Sequence, residues 1–265
     1  MGGLVVAITS LSNPKIKEVV KLREGKFRRR NGKFLIDGVR EFERAVRSDV
    51  RILEVFITLQ FKAKISANCI IYHVTDTIMN KITFGDRNEG IIAVAEEPIH
   101  SLDTFSIKIN QKPCPLLAVL EGFEKPGNLG AVFRSADAAG IDGIMIANPL
   151  VDPFHNNSIR SSMGTVFSIP MVSESSATIC HWLKTQNFQI AATRCGGDAV
   201  TYTDVDFCRP TAIIFGSEAD GLTDIWKGEG ITAVTLPMQG IADSLNVSVV
   251  AGILFYEARR QRNLP

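Results

Sequence analysis

The residues of this 265-residue chain that could do chemistry gather in three segments of one design: an apolar run, a glycine-bearing turn, polar side chains and then a helical pattern. In the first, from Leu120 to Gly140, Asn128 and Arg134 are six residues apart and face different sides of the helix expected there, so Asn128 acts from the loop or the first turn. Arg134 stands among Val132, Phe133 and Ala136, which makes it either a functional cation or an ion-pair partner of Asp137. The second segment, Ile213 to Leu222, carries Gly216, Ser217, Glu218 and Asp220 after its apolar run. It lacks the Lys-Ser/Thr of a phosphate loop and the three glycines of a dinucleotide site, and its two carboxylates would repel phosphate. Such a turn suits hydroxyl groups or a cationic ligand. The third, Leu236 to Gly252, puts Ser244, Asn246 and Ser248 in the first turn of a helix that is apolar on almost every side, with Asp243 and Ser244 as its candidate caps. A helix of that kind needs more than one neighbour to bury it. Polar groups at its mouth cost free energy unless something binds them. The pairing predicts a ligand site joined to a core or subunit contact.

Other chemistries have no residues to carry them. His73, His100, His155 and His181 fall outside all three segments, and no zinc-protease, deaminase or Ser-His-Asp pattern occurs. The five cysteines (Cys69, Cys114, Cys180, Cys195 and Cys208) are scattered without a Cys-x-x-Cys pair, so neither a disulfide framework nor a metal site is expected, and a reducing cytoplasm is. No apolar stretch approaches the roughly 20 residues of a membrane span, and the first residues lack the basic region of a secretory signal. The net charge of +1 conceals an asymmetry: residues 1–50 hold 12 Lys/Arg against 6 Asp/Glu, leaving the rest of the chain at −5. Lys26, Arg28, Arg29, Arg30 and Lys33, bordered by Phe27 and Phe34, form the densest basic patch. Such a patch suits a phosphate backbone with exposed bases; its alternative is a solvated loop anchored by two phenylalanines.

The elements that must position these residues follow from periodicity. A helical pattern starts at Asn13-Pro14; residues 33–37, 52–59, 69–74 and 90–95 read as strands, with helices over 39–46 and 76–82. Alternation of this kind makes a small α/β sandwich over residues 1–97. A proline-containing polar stretch, 98–114, reads as a linker, and 115–265 as a second domain. There, apolar strands at 116–121, 143–147, 188–193, 211–215 and 231–236 alternate with helices at 127–139, 158–164, 173–185 and the C-terminus. Continuous apolar strands between helices predict a parallel sheet covered on both faces, with ligands at its carboxyl edge.

Taken together, the three segments resemble the motifs of the SPOUT superfamily, and within it the TrmH (SpoU) family of RNA 2′-O-ribose methyltransferases. Pro126 to Gly140 resembles the first family motif, Phe215 to Leu222 the second and Leu236 to Gly252 the third, with matching order, spacing and flanking strands. Residues 8–95 resemble the L30e-like substrate-binding domain that precedes many members, and the two-domain layout is similar to that of thiostrepton-resistance-type 23S rRNA methyltransferases. The resemblance implies an α/β fold in which a smaller L30e-like domain precedes a SPOUT parallel-sheet domain with a deep trefoil knot. It further implies a homodimer and S-adenosylmethionine as cofactor.

Carried over by motif position, the resemblance assigns Asn128, Arg134, Glu218, Ser244 and Asn246 to catalysis. It assigns Thr193, Gly216, Ser217, Leu236, Met238 and Leu245 to the cofactor and Arg160 to RNA or cofactor, while the basic patch of Lys26, Arg28, Arg29 and Arg30 is expected to grip the phosphates of RNA. The implied reaction is methyl transfer to a ribose 2′-hydroxyl, in 23S rRNA ahead of tRNA. Neutralising an arginine at pH 7 costs about 7 kcal/mol, so Arg134 is expected to act as a cation that stabilises developing charge rather than as a base. The non-enzyme alternative is an RNA-binding ribosome-assembly factor on the same fold. A nucleotide-dependent enzyme of small molecules is a third, which the basic surplus and the missing phosphate loop oppose.

Overall fold

The computed structural model describes residues 5–65, 67–85, 88–196 and 198–262. In chain order the elements are β1 (Val5–Ile8), α1 (Pro14–Lys21), α2 (Gly25–Asn31), β2 (Lys33–Asp37), α3 (Val39–Arg47), β3 (Ile52–Thr58), β4 (Ile70–Val74), α4 (Asp76–Ile82), β5 (Ile91–Glu96) and α5 (Leu102–Ile109). There follow β6 (Leu116–Glu121), α6 (Pro126–Ala139), β7 (Gly143–Ala147), α7 (Asn156–Ser161), β8 (Met171–Glu174), α8 (Ser176–Thr185), β9 (Gln189–Thr193), β10 (Val200–Thr201), β11 (Thr211–Phe215), β12 (Ile231–Thr235) and α9 (Val247–Gln261). They divide into two compact units, one reaching to Ile99 and including Asp152–Ser168, the other holding His100–Val151 and everything from Ile169 onward.

The first unit is built on a five-stranded mixed sheet in the order β1-β4-β3-β5-β2, the last two strands pairing antiparallel. Asn13 starts α1 by accepting from Lys15 N at 2.9 Å, Pro14 supplies the preset first turn, and Ile16, Val19 and Leu22 bury one face against Phe56, Ile78 and Met79. Lys26, Arg28, Arg29 and Arg30 lie on helix α2, closed by Gly32 in the left-handed conformation, and one expectation placed on them needs correcting. Arg28 does not face solvent. It is 2% exposed, pairs through Nε with Asp152 Oδ2 at 2.8 Å, and donates through Nη1 to Leu22 O and Arg23 O. A guanidinium buried and anchored in this way is not free to grip phosphate, whereas Lys26, Arg29 and Arg30 are exposed.

Phe34, fully buried, stacks on Phe154 at 4.6 Å and Phe167 at 5.9 Å between ring centroids. The segment Asp152–Ser168 therefore belongs to this unit's core although its neighbours in sequence do not. Arg160, on α7, is engaged as well: its Nη1 donates to Phe84 O at 2.9 Å and its charge faces Asp37.

The second unit has a seven-stranded sheet, β10-β12-β9-β11-β6-β7-β8, in which every pairing is parallel. Its central strands are buried along their whole length, as a sheet covered on both faces requires. The stretch expected to be a linker holds α5, started by a reciprocal Ser101–Thr104 capping box. Phe105 meets the Trp182 ring edge-on, Ser106 Oγ accepts from the Trp182 indole at 2.9 Å, and α5 lies so close to β7 that a Cβ on Gly143 would come within 2.8 Å of the Phe105 ring. The expected helix at 173–185 is shorter, because Met171–Glu174 pairs with β7 as β8 before Ser175 caps α8. At the other end α9 packs on α6, burying Ala251, Leu254, Phe255 and Ala258. Its opposite face is open, with Val249 48% and Tyr256 53% exposed.

Candidate active site

Because all the strands of the second sheet run the same way, the segments following β6, β9, β11 and β12 emerge at one edge. Three of them enclose a cavity of about 540 Å³, lined by Thr193 and Arg194 after β9, Gly216 to Leu222 after β11, and Leu236, Met238, Asp243, Ser244 and Leu245 after β12. All six residues expected at the cofactor, Thr193, Gly216, Ser217, Leu236, Met238 and Leu245, lie in this lining. Two features hold its shape. The turn after β11 closes on itself through reciprocal Ser217 and Gly221 backbone bonds of 3.2 and 3.1 Å, so tightly that a Cβ on Gly216 would stand 2.3 Å from the Gly221 carbonyl carbon. Beneath it Glu121, 2% exposed at the end of β6, accepts from the Thr223 N–H and hydroxyl, each at 2.8 Å, and from the Ser176 hydroxyl. A buried carboxylate with three donors is held firmly, and it fixes the far end of the same turn.

At the rim, side chains from three segments meet. Glu218 Oε1 accepts from the amides of Asn128 and Asn246, the latter at 3.1 Å, while Glu218 Oε2 pairs with Lys125. Asn246 also donates to Asn128 Oδ1 at 3.3 Å. Its own Oδ1 accepts from Ser248 N at 3.0 Å and Ser248 Oγ at 2.7 Å, which makes Asn246 the cap of α9. The expected caps, Asp243 and Ser244, are three and two residues too early. They line the cavity instead.

Of the five residues expected in catalysis, Asn128, Glu218 and Asn246 thus form one hydrogen-bonded cluster and Ser244 lies in the adjoining cavity wall. Arg134 does not join them. It is exposed on α6, about 9 Å further along the axis than Asn128 at 1.5 Å per residue. It makes no ion pair with Asp137 among the described residues. Arg28, expected at RNA, is buried inside the first unit, and Arg160, expected there too, is half-buried with its Nη1 on Phe84 O. The sequence reading missed Lys125, Arg194 and Glu121. Lys125 directly precedes the first motif and Arg194 follows Thr193, but neither carries a pattern of its own. Glu121 had a signal, a single carboxylate closing a strand of apolar residues.

Among the described residues there is no group of three or more side chains able to hold a metal ion, and no helix long and apolar enough to cross a membrane.

Comparison with known proteins gives consistent matches. Residues 115–256 match the model of the SpoU rRNA Methylase family, and residues 13–93 that of an MRM3-like substrate binding domain. The chain is 32% identical to the 23S rRNA (uridine(2479)-2′-O)-methyltransferase of Streptomyces viridochromogenes over 252 residues, 89% of this chain and 85% of that one. Among solved structures, one described as an RNA 2′-O ribose methyltransferase is 38% identical with a TM-score of 0.84, covering 98% of this chain and 100% of that one. An AdoMet-bound rRNA methyltransferase from Sinorhizobium meliloti is 27% identical with a TM-score of 0.88, covering 99% and 100%.

Proposed function

The chain belongs to the SpoU rRNA methylase family, and on that premise we propose that it transfers a methyl group from S-adenosylmethionine to a ribose 2′-hydroxyl of 23S rRNA. The observation that carries this is the junction of the Asn128–Glu218–Asn246 cluster with the cavity behind it: a polar rim that can orient a hydroxyl, against a pocket of a size that holds a nucleoside cofactor. The ribosomal target rests on a 23S rRNA-modifying relative matched along most of its length and on the substrate-binding domain model at residues 13–93.

The residues present fit the cofactor. Leu236, Met238 and Leu245 offer apolar surface, and Asp220 and Asp243 give the cavity acidic groups suited to a positively charged ligand. In this reading Thr193, Gly216, Ser217, Leu236, Met238 and Leu245 hold it. When bound, S-adenosylmethionine supplies an electrophilic methyl group on a sulfonium. The task left to the protein is to hold the ribose oxygen in line and to favour loss of its proton.

Glu218 locks the two amides against each other, so that Asn128 and Asn246 present fixed donors and acceptors to the ribose. Arg134 stabilises the developing oxyanion as a cation. Its exposure on α6, away from this chain's own cluster, supports its serving the site of a second copy in a homodimer. The uncovered Val249 and Tyr256 on α9 support the same association. The trefoil knot belongs to this proposal. It is supported by the strand order, in which the chain passes from β11 to β12 on the far side of β9, and by the packing of α9 on α6. An L30e-like, RNA-binding character for the first unit, which includes Asp152–Ser168, and a catalytic one for the second are supported by the first unit's mixed α/β sheet and the domain match. Lys26, Arg29 and Arg30 are its phosphate contacts. The five free cysteines and ribosomal substrate fit a cytoplasmic enzyme.

The test is methyl transfer from labelled S-adenosylmethionine to 23S rRNA and to tRNA, with alkali-resistant dinucleotides as the signature of a blocked 2′-oxygen. The intact chain should label 23S rRNA. Arg134→Ala should lower turnover by about 100-fold or more while cofactor affinity stays within about twofold. Label confined to tRNA would refute the ribosomal target, and near-normal turnover of Arg134→Ala would refute the arginine's role.

A further inference from the structure

The cavity contains a cation that the transfer chemistry above does not use. Arg194 follows Thr193 at the carboxyl end of β9, and its backbone N–H donates to Val234 O at 2.8 Å, so its position between β9 and β12 is fixed. Its side chain contributes to the cavity wall. Nη2 donates to Trp226 O at 2.6 Å, whereas Nε is buried and has no hydrogen-bond partner. A guanidinium anchored at one corner by a fully buried residue, with a desolvated N–H left over, has not found its complete set of acceptors within the chain.

The surrounding charges do not supply one. Lys227, the other cation in the lining, is paired with Asp224, which feels Arg194 only as a neighbouring charge. Glu218 is taken by Lys125, Asn128 and Asn246. Neither Asp220 nor Asp243 is bonded to Arg194 among the described residues. The acidic groups of the lining thus suit the positive parts of a ligand, and Arg194 stands ready for a negative part.

Resting on the methyl-transfer reading, we propose that Arg194 recognises the carboxylate of the cofactor's methionine moiety and so selects S-adenosylmethionine over analogues without that group. S-adenosylmethionine carries a sulfonium, an ammonium and a single carboxylate. The planar fork of an arginine matches a carboxylate in a way a lysine cannot. The cofactor's carboxylate would satisfy the donor that the chain leaves unpaired.

The experiment is calorimetric titration of the full-length chain, and of Arg194→Met and Arg194→Lys, with S-adenosylmethionine and with its decarboxylated form, which keeps both positive groups. Methionine retains the packed stem, and binding of the decarboxylated ligand reports an intact cavity. The unaltered chain should prefer the carboxylated cofactor by about 10- to 100-fold, the range of a charge-assisted hydrogen bond. Arg194→Met should lose that preference, with decarboxylated binding within about twofold of the unaltered chain, and Arg194→Lys should recover part of it. Equal weakening of both ligands, or no preference in the unaltered chain, would overturn the proposal by making Arg194 structural. If the unaltered chain binds neither ligand, the methyl-transfer reading itself falls and this inference with it.

Discussion

Single residues of one type have very different work in this protein. In α2, Arg28 is buried against Asp152 while Arg29 and Arg30 point to solvent, although the three are adjacent. Arg28→Ala leaves the largely buried Asp152 carboxylate without its partner and should destabilise the chain by about 3–5 kcal/mol. Arg29→Ala and Arg30→Ala should stay within about 0.5 kcal/mol in urea denaturation, yet each should reduce the salt dependence of rRNA binding by about one counterion. The same slope for all three variants would contradict the division.

Asp37 gives a pH-dependent case. Burial pushes its carboxyl up to about 6, Glu89 and Glu41 add to the rise, and the Phe84 N–H bond and the Arg160 charge oppose it. The folded state therefore prefers the protonated form. Its penalty is full above pH 6, shrinks as pH falls towards the ordinary carboxylate value near 4, and is absent below that. Asp37→Asn should accordingly be more stable than the unaltered chain at pH 7.5, with the gain fading by pH 4. Destabilisation at pH 7.5 would show that the charge is needed for Arg160. Neither the burial of Arg28 nor that of Asp37 could be read from local sequence, because each partner is distant: Asp152 lies 124 residues from Arg28, and Phe84 lies 47 from Asp37.

At the scale of elements, the start of α9 decides how the third motif works. Asp243, Ser244 and Asn246 are all good caps by type, and nothing local selects among them. The structure uses Asn246, whose side chain caps the helix with one oxygen and reaches Asn128 and Glu218 with its nitrogen. Those two tasks can be separated. Asn246→Ala should cost about 1 kcal/mol and abolish turnover, whereas Asn246→Ser keeps a capping oxygen and should change stability by only a few tenths of a kcal/mol. Turnover should be lost in both, because a serine is too short to reach the other two residues. Full activity of the serine variant would reduce Asn246 to a cap. Among the elements missed from sequence, α5 and β8 have short apolar patterns that periodicity alone leaves ambiguous. Tertiary contacts chose for them: Phe105 and Ile109 cover the sheet as a helix, and Met171–Glu174 completes its edge.

For the whole molecule, an α9 face bearing Val249 and Tyr256 is left uncovered by the chain itself, and a second copy is what we propose covers it. Val249→Glu would put a charge into that contact. Sedimentation should show a dimer for the unaltered chain and a monomer for the variant, and turnover should fall with the dimer because Arg134 then has no site to serve. A monomer with undiminished turnover would rule out the shared site. The strand and helix pattern, the parallel sheet and the three polar turns were legible in the sequence, because burial on both faces leaves continuous apolar runs and glycine marks where a chain must turn tightly. Which polar residues meet was decided only in three dimensions. Asn128, Glu218 and Asn246 span 118 residues of chain and converge because parallel strands release their following segments at one edge. The allegiance of Asp152–Ser168 was equally hidden: flanked on both sides by strands of one unit, it buries Phe154 and Phe167 against Phe34 of the other, a choice made by aromatic packing across more than a hundred residues of sequence.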